Sequence, residues 1–115
     1  MFRNFNKWCL AVVTILFLTG SYTVQAQDGG SLFKANCATC HHPFKDGTGP
    51  KLSGVRDQWI ENADEATLIL WVRNWQDAAA QNSYAQQRST LKGTAMTAFG
   101  DKWSDEEILS IFDWV

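Results

Sequence analysis

Three side chains with chemistry of their own stand in the pentapeptide Cys37-Ala38-Thr39-Cys40-His41. Two thiols separated by two residues can form thioether bonds to the two vinyl groups on one edge of a porphyrin. The imidazole directly after the second thiol then lies under the iron and can bind it axially. C-x-x-C-H is the attachment pattern of a c-type haem. The residues therefore predict one covalent haem c, anchored by Cys37 and Cys40, with His41 as proximal ligand. Two other chemistries use the same residue types. A structural zinc needs four spread ligands, usually from two clusters, and beyond the motif the chain offers only His42 and Cys9. A thioredoxin-like dithiol would sit in a βαβ pattern, which is absent. A Cys37–Cys40 disulfide would close too small a loop to stabilise much. Haem is the first reading, with zinc and a redox dithiol as the alternatives.

The first 26 residues read as an export signal. Arg3 and Lys7 give a positive start, Trp8 to Thr19 is an apolar run, and Val24-Gln25-Ala26 resembles a small-residue cleavage site. The run is shorter than the ~20 residues that span a bilayer, so cleavage is expected over an uncleaved anchor. Export suits the haem reading, because this type of covalent attachment takes place outside the bacterial cytoplasm. It also removes Cys9 and leaves only the two thiols of the motif. The remaining segment, 27–115, is one domain in length. Such a small chain gains from a buried porphyrin that supplies apolar surface. It carries 8 basic against 12 acidic residues, which argues against nucleic acid and favours a partner with a basic docking surface.

The elements that must position the motif are all helical. The sequence predicts a small bundle of about three main helices around one haem. Ser31 to Cys40 can start a helix running into the motif, and residues 43–58, with two prolines and three glycines, read as loop. Asn62 with Glu65 suggests a capping box for a second helix, whose stripe is Leu68, Trp71, Val72 and Trp75. Gln81 to Thr90 is polar, enough for one or two turns. Ser104 and Glu107 form a capping box for the last helix, with Trp103 and Ile108 at the staple positions and Ile108, Ile111, Phe112 and Val115 on the buried face. That face is still running when the sequence ends, so the helix is expected either to fray there or to belong to a longer chain.

With the motif, the export signal and this layout in place, the chain resembles a class I c-type cytochrome of the small monohaem kind, over nearly all of 27–115. In that family a glycine eight residues and an aromatic four residues before the first cysteine pack on the C-terminal helix. Gly29 and Phe33 hold those places, and Ile111 and Trp114 are the expected receiving surface. Gly47-Thr48-Gly49-Pro50-Lys51-Leu52 resembles the family's G-x-G-P-x-L loop. The resemblance implies that the Pro50 carbonyl accepts a hydrogen bond from the other nitrogen of His41, fixing its tautomer, and that Leu52 packs on the haem. It also places a distal methionine in a loop before the last helix. Met96, in Gly93-Thr94-Ala95-Met96-Thr97-Ala98-Phe99, fits that place, with Thr97 where proline is common. Met1 leaves with the signal, so Met96 is the one methionine left for the sixth position. His42 cannot reach the opposite face of a ring held by His41 and is expected to face solvent or bond to the loop. Lys92 and Lys102 are remote alternatives.

The resemblance implies electron transfer. Histidine and methionine together fill the iron's axial positions, so the expected protein is not an enzyme but a carrier cycling between Fe(II) and Fe(III), with the thioether favouring the reduced state. Its expected place is the periplasm or another extracytoplasmic space. Its expected partners are membrane respiratory complexes, reductases or oxidases, and it touches a membrane only through a partner. A free shuttle is the first expectation and a haem-bearing subunit or domain of a larger oxidoreductase the second. Trp59, Trp71, Trp75 and Trp103 are expected in the core and around the haem.

Overall fold

The computed structural model describes residues 27–91, 93 and 95–115. The expected export signal, with Cys9, and Lys92 lie outside the described residues. Among the described residues the chain forms six helices and no strand. They are α1 (Gly29–Asn36), α2 (Val55–Asn62), α3 (Glu65–Arg73), α4 (Trp75–Gln81), α5 (Ser83–Ser89) and α6 (Asp105–Trp114). None is long and apolar enough to cross a membrane.

Each start has a local chemical cause. The Asp28 carboxylate accepts from the Ser31 amide at 3.0 Å and the Ser31 hydroxyl at 2.6 Å, which opens α1. Helix α2 follows Gly54, whose φ of 75° belongs to the left-handed region that glycine enters freely. Ser104 caps α6 with the reciprocal Glu107 bond in place, as the capping box predicts. Trp103 and Ile108, the staple pair, are both buried in one core cluster.

The sequence expectation of about three helices needs correction at four points. Helix α1 begins at Gly29 and ends at Asn36, so the haem motif lies in the turn beyond it rather than in a helix. The loop after the motif ends at Gly54, not 58, because a mostly polar octapeptide closes into α2 over one buried side chain, Trp59. The cap of α3 is Asp64, which accepts from Thr67 N at 2.6 Å; Asn62 instead ends α2, bonding its own helix at Gln58 O. Finally, the stripe from Leu68 to Trp75 does not lie on one helix. Asn74 is extended (φ −154°, ψ 92°), ends α3 and caps α4 through its side chain. Asn82 repeats the device between α4 and α5.

Helix α1 packs on α6, and α3 packs on α2, α4 and α6. The main core holds Leu32, Phe33, Leu52, Val72, Trp103, Ile108 and Ile111; a second cluster holds Trp59, Leu68, Ala78 and Ala85. Val55 and Phe112 touch both. Fully buried Leu32, Leu68 and Ile108 each contribute about 1.5–3 kcal/mol by leaving water. The approach of α1 to α6 depends on Gly29: a Cβ there would lie 1.8 Å from the Ser110 carbonyl oxygen and 2.7 Å from Ile111 N. Phe33 fills the space alongside, with its ring centroid 5.2 Å from that of Trp114. Glycine, aromatic and receiving helix thus meet where the resemblance placed them. Gly30 adds a contact the sequence did not announce, lying against the Trp114 indole.

Two arginines tie the bundle from outside. Arg56 reaches Glu65 at 2.6 Å and also Asp113, joining α2 to α3 and α6. Arg73 reaches Asp101 at 2.9 Å and Asp105 at 2.7 Å, joining the end of α3 to the start of α6. The carboxylates raise both guanidinium pKa values, Glu65 acting most on Arg56 and Asp105 on Arg73. Being at the surface, such pairs are worth little individually.

Candidate haem site

The motif is held by a compact turn. Helix α1 ends with Cys37 N and Ala38 N both donating to Phe33 O. The chain then folds back, with Cys40 N and His41 N donating to Cys37 O at 3.1 and 2.8 Å. Cys37 and Cys40 are not joined in a disulfide. Cys37 packs against the main core, and burial pushes its thiol up to about 11. Among the described residues no three His, Cys, Asp or Glu side chains gather around a metal-sized point. The four-ligand set of a structural zinc is therefore not assembled among the described residues.

His41 is oriented by the loop that follows. Its Nδ1 lies 2.7 Å from the Pro50 carbonyl oxygen. The carbonyl can only accept, so Nδ1 carries the proton and Nε2 keeps its lone pair for a metal. This is the bond implied by the resemblance. Gly49 takes part too, in a way the motif alone did not reveal: its Cα faces the imidazole so closely that a Cβ would lie 2.4 Å from Cε1. The loop itself is pinned by Gly49 N donating to Cys40 O (2.7 Å) and Leu52 N to His42 O (3.2 Å). His42 is exposed, and its Nδ1 accepts from Phe44 N at 3.0 Å, so it both faces solvent and braces the loop.

Cys37, Cys40, His41, Pro50, Leu52 and Met96 all border one cleft of about 330 Å³. Its apolar wall includes Val72, Phe99 and Ile111, and the half-buried Trp71 and Trp75 line it as well. Met96 is half-buried and packs against the main core. The segment that follows it is tied to the end of α3, where Phe99 N donates to Val72 O at 3.3 Å and Gly100 N to Arg73 O at 2.8 Å. Phe99 stacks on Trp103, with ring centroids 4.9 Å apart. Trp59 and Trp103 are buried. Lys102 is engaged elsewhere, its ammonium 3.0 Å from Asn36 Oδ1 and 4.9 Å from the Trp103 ring.

The donor set fits a haem c: two thiols, an oriented imidazole and a thioether border one largely apolar cleft. The family model described as cytochrome C oxidase, cbb3-type, subunit III matches residues 24–115. The chain belongs to that family. It is a c-type cytochrome domain, consistent with the class I resemblance, and the family implies covalently bound haem c and haem-based electron transfer. No curated protein and no solved structure matches the chain.

Trp59 borders the cleft as expected, and so do Arg88 and Gln58, which the sequence motifs left out. These last two come from α5 and α2, and only the tertiary fold brings them to it. No local signal announces them.

Proposed function

We propose that this domain transfers electrons through a single haem c that Cys37 and Cys40 would anchor and His41 and Met96 would ligate, within or alongside a respiratory oxidase. The carrying observation is that these four residues, from two segments 55 residues apart, border one cleft. When bound, the haem supplies a reversible Fe(II)/Fe(III) couple. The protein's own residues do the rest. The Pro50 carbonyl and the Gly49 backbone fix the imidazole. Leu52, Val72 and Ile111 keep water from one side of the cleft. Met96 would offer the iron a weak sulfur donor and, together with His41, would leave it no open site for catalysis. A mostly apolar, well-packed wall needs little rearrangement when the charge at the iron changes.

The family description, an oxidase subunit, favours a haem-bearing subunit or domain over the free shuttle first expected from the sequence. The proposed location is extracytoplasmic, where this kind of haem attachment takes place. Denaturation and acid-acetone extraction of the haem-loaded protein test the cofactor: one haem should stay with the polypeptide, and complete extraction would refute the site. Electron transfer in native membranes tests the setting. A fixed subunit gives first-order rates nearly independent of salt, whereas a shuttle gives bimolecular rates that fall as salt screens its encounters.

A further inference from the structure

Three arginines lie among the described residues, and two are neutralised by carboxylate pairs: Arg56 by Glu65 and Asp113, Arg73 by Asp101 and Asp105. Arg88 differs. It is half-buried on α5 and borders the cleft. Its Nη2 donates to the Tyr84 hydroxyl at 2.5 Å and to Gln58 Oε1 at 3.3 Å, and its guanidinium carbon sits 4.8 Å from the Tyr84 ring centroid. These partners hold the guanidinium in place but carry no charge. Among the described residues no acidic side chain pairs with it, and its Nε and Nη1 hydrogens find no acceptor.

The support continues behind Tyr84. The tyrosine ring meets Trp59 edge-on, with centroids 5.1 Å apart, and Trp59 is buried. This half-buried cation is held in place beside a largely apolar cleft by neutral partners alone. Its remaining donors suit a carboxylate, which a guanidinium binds in a fixed planar geometry. A haem carries two propionates and is the ligand proposed for this cleft.

We propose that Arg88 binds a propionate carboxylate of the haem, with Tyr84 and Gln58 as its positioning residues, and that its positive charge raises the reduction potential. The inference rests on the haem c reading above. A cation near the iron disfavours the extra positive charge of Fe(III), so its removal should favour oxidation. Lys51, the other cation at the cleft among the described residues, is exposed, and its charge is screened by solvent and salt.

Redox titration of the haem-loaded full chain tests this with Arg88→Gln, Arg88→Lys and Lys51→Gln. At a fixed solution potential, Arg88→Gln should lower the Fe(II)/Fe(III) ratio by up to about tenfold, equivalent to ~59 mV for one electron. Arg88→Lys should recover much of that loss, and Lys51→Gln should change the ratio little. Equal potentials in wild type and Arg88→Gln would overturn the inference. So would equal shifts in Arg88→Gln and Arg88→Lys, since these would report disturbance of α5 rather than loss of charge. Absence of covalent haem in the wild type would instead remove the underlying haem reading, a failure visible before any titration.

Discussion

Gly49→Ala isolates the orientation of His41 from every other property of the loop. Neither Gly47 nor Gly49 has a positive φ, so alanine is permitted at both on backbone grounds. Only the space differs. A Cβ at Gly47 would meet the Cys40 carbonyl oxygen at 3.7 Å, an ordinary contact. A Cβ at Gly49 would meet the imidazole at 2.4 Å (Cε1), 2.6 Å (Nδ1) and 2.8 Å (Nε2), where ordinary contact begins at 3.4 Å. The ring must therefore retreat by about 1 Å or tilt. That exceeds the slack in its 2.7 Å bond to Pro50 O, since at about 3.6 Å such a bond no longer exists. Overpacking of this kind costs about 1–3 kcal/mol, and loss of the hydrogen bond adds ~1 kcal/mol. For a domain of this size a total of about 2–4 kcal/mol lowers Tm by roughly 10–30 °C. The redox effect has a definite sign. Without the Pro50 acceptor the imidazole becomes a weaker donor, Fe(III) is less well stabilised, and the potential rises. The assay is thermal unfolding and redox titration of haem-loaded wild type, Gly47→Ala and Gly49→Ala. A Gly49→Ala protein matching Gly47→Ala in both Tm and potential would refute the role given to this contact.

Three other perturbations probe separate parts of the structure. Gly29→Ala drives a methyl into the Ser110 backbone, at about 3 kcal/mol of overpacking partly offset by ~1 kcal/mol of helix propensity. Its Tm should fall by roughly 10 °C, whereas Gly93→Ala, with open space around the new methyl, should leave Tm nearly unchanged; equal melting of the two would argue against the close α1–α6 approach. Met96→Ala should retain covalent haem but lose the weak near-infrared absorption of an iron(III)–sulfur bond, lower the potential and admit added ligands; a persisting band would assign the sixth ligand elsewhere. The caps predict acid behaviour: bonds from Ser31 hold the Asp28 carboxyl below its ordinary value of 3.8, and bonds from Thr67 do the same for Asp64. A depressed folded pKa means the stabilisation is complete above pH 3.8 and is lost as pH falls below it. Asp28→Asn/Asp64→Asn, which keeps cap acceptors without the charge, should therefore show a shallower loss of stability in acid, and an unchanged slope would contradict this.

What could be read from the sequence was whatever depends on near neighbours in the chain. The capping box at Ser104 lies within three residues, whereas the Pro50–His41 bond, nine residues apart, was implied by the family resemblance. Gly29 and Phe33 were assigned their partners on α6 through the family resemblance, since nothing local points across that distance. The misreadings have equally local causes. Leu68, Trp71, Val72 and Trp75 keep helical spacing whether or not the helix continues through Asn74, so periodicity could not reveal the break. Asn62 and Asp64 are both good cap residues, and the choice depended on which amide lay within reach: Thr67 N, which Asp64 caps. Helix α2 buries only Trp59, too little for a stripe. Arg88 looked like one more polar residue because Gln58, which helps define its environment, is 30 residues away.

Asn74 and Asn82 each end one helix and begin the next, which leaves no linker anywhere between α3 and Arg88. The stretch therefore works like a jointed rod whose angles are set by residue count. One residue inserted within α4 would turn everything after it by about 100° around that helix axis, with no loose segment to absorb the rotation. Arg88 would swing away from the cleft, and the small buried faces of Ala78 and Ala85 would lose their alignment. Surface loops elsewhere can change length at little cost. Here length is part of the design: this stretch can vary in residue type, but not readily in residue number.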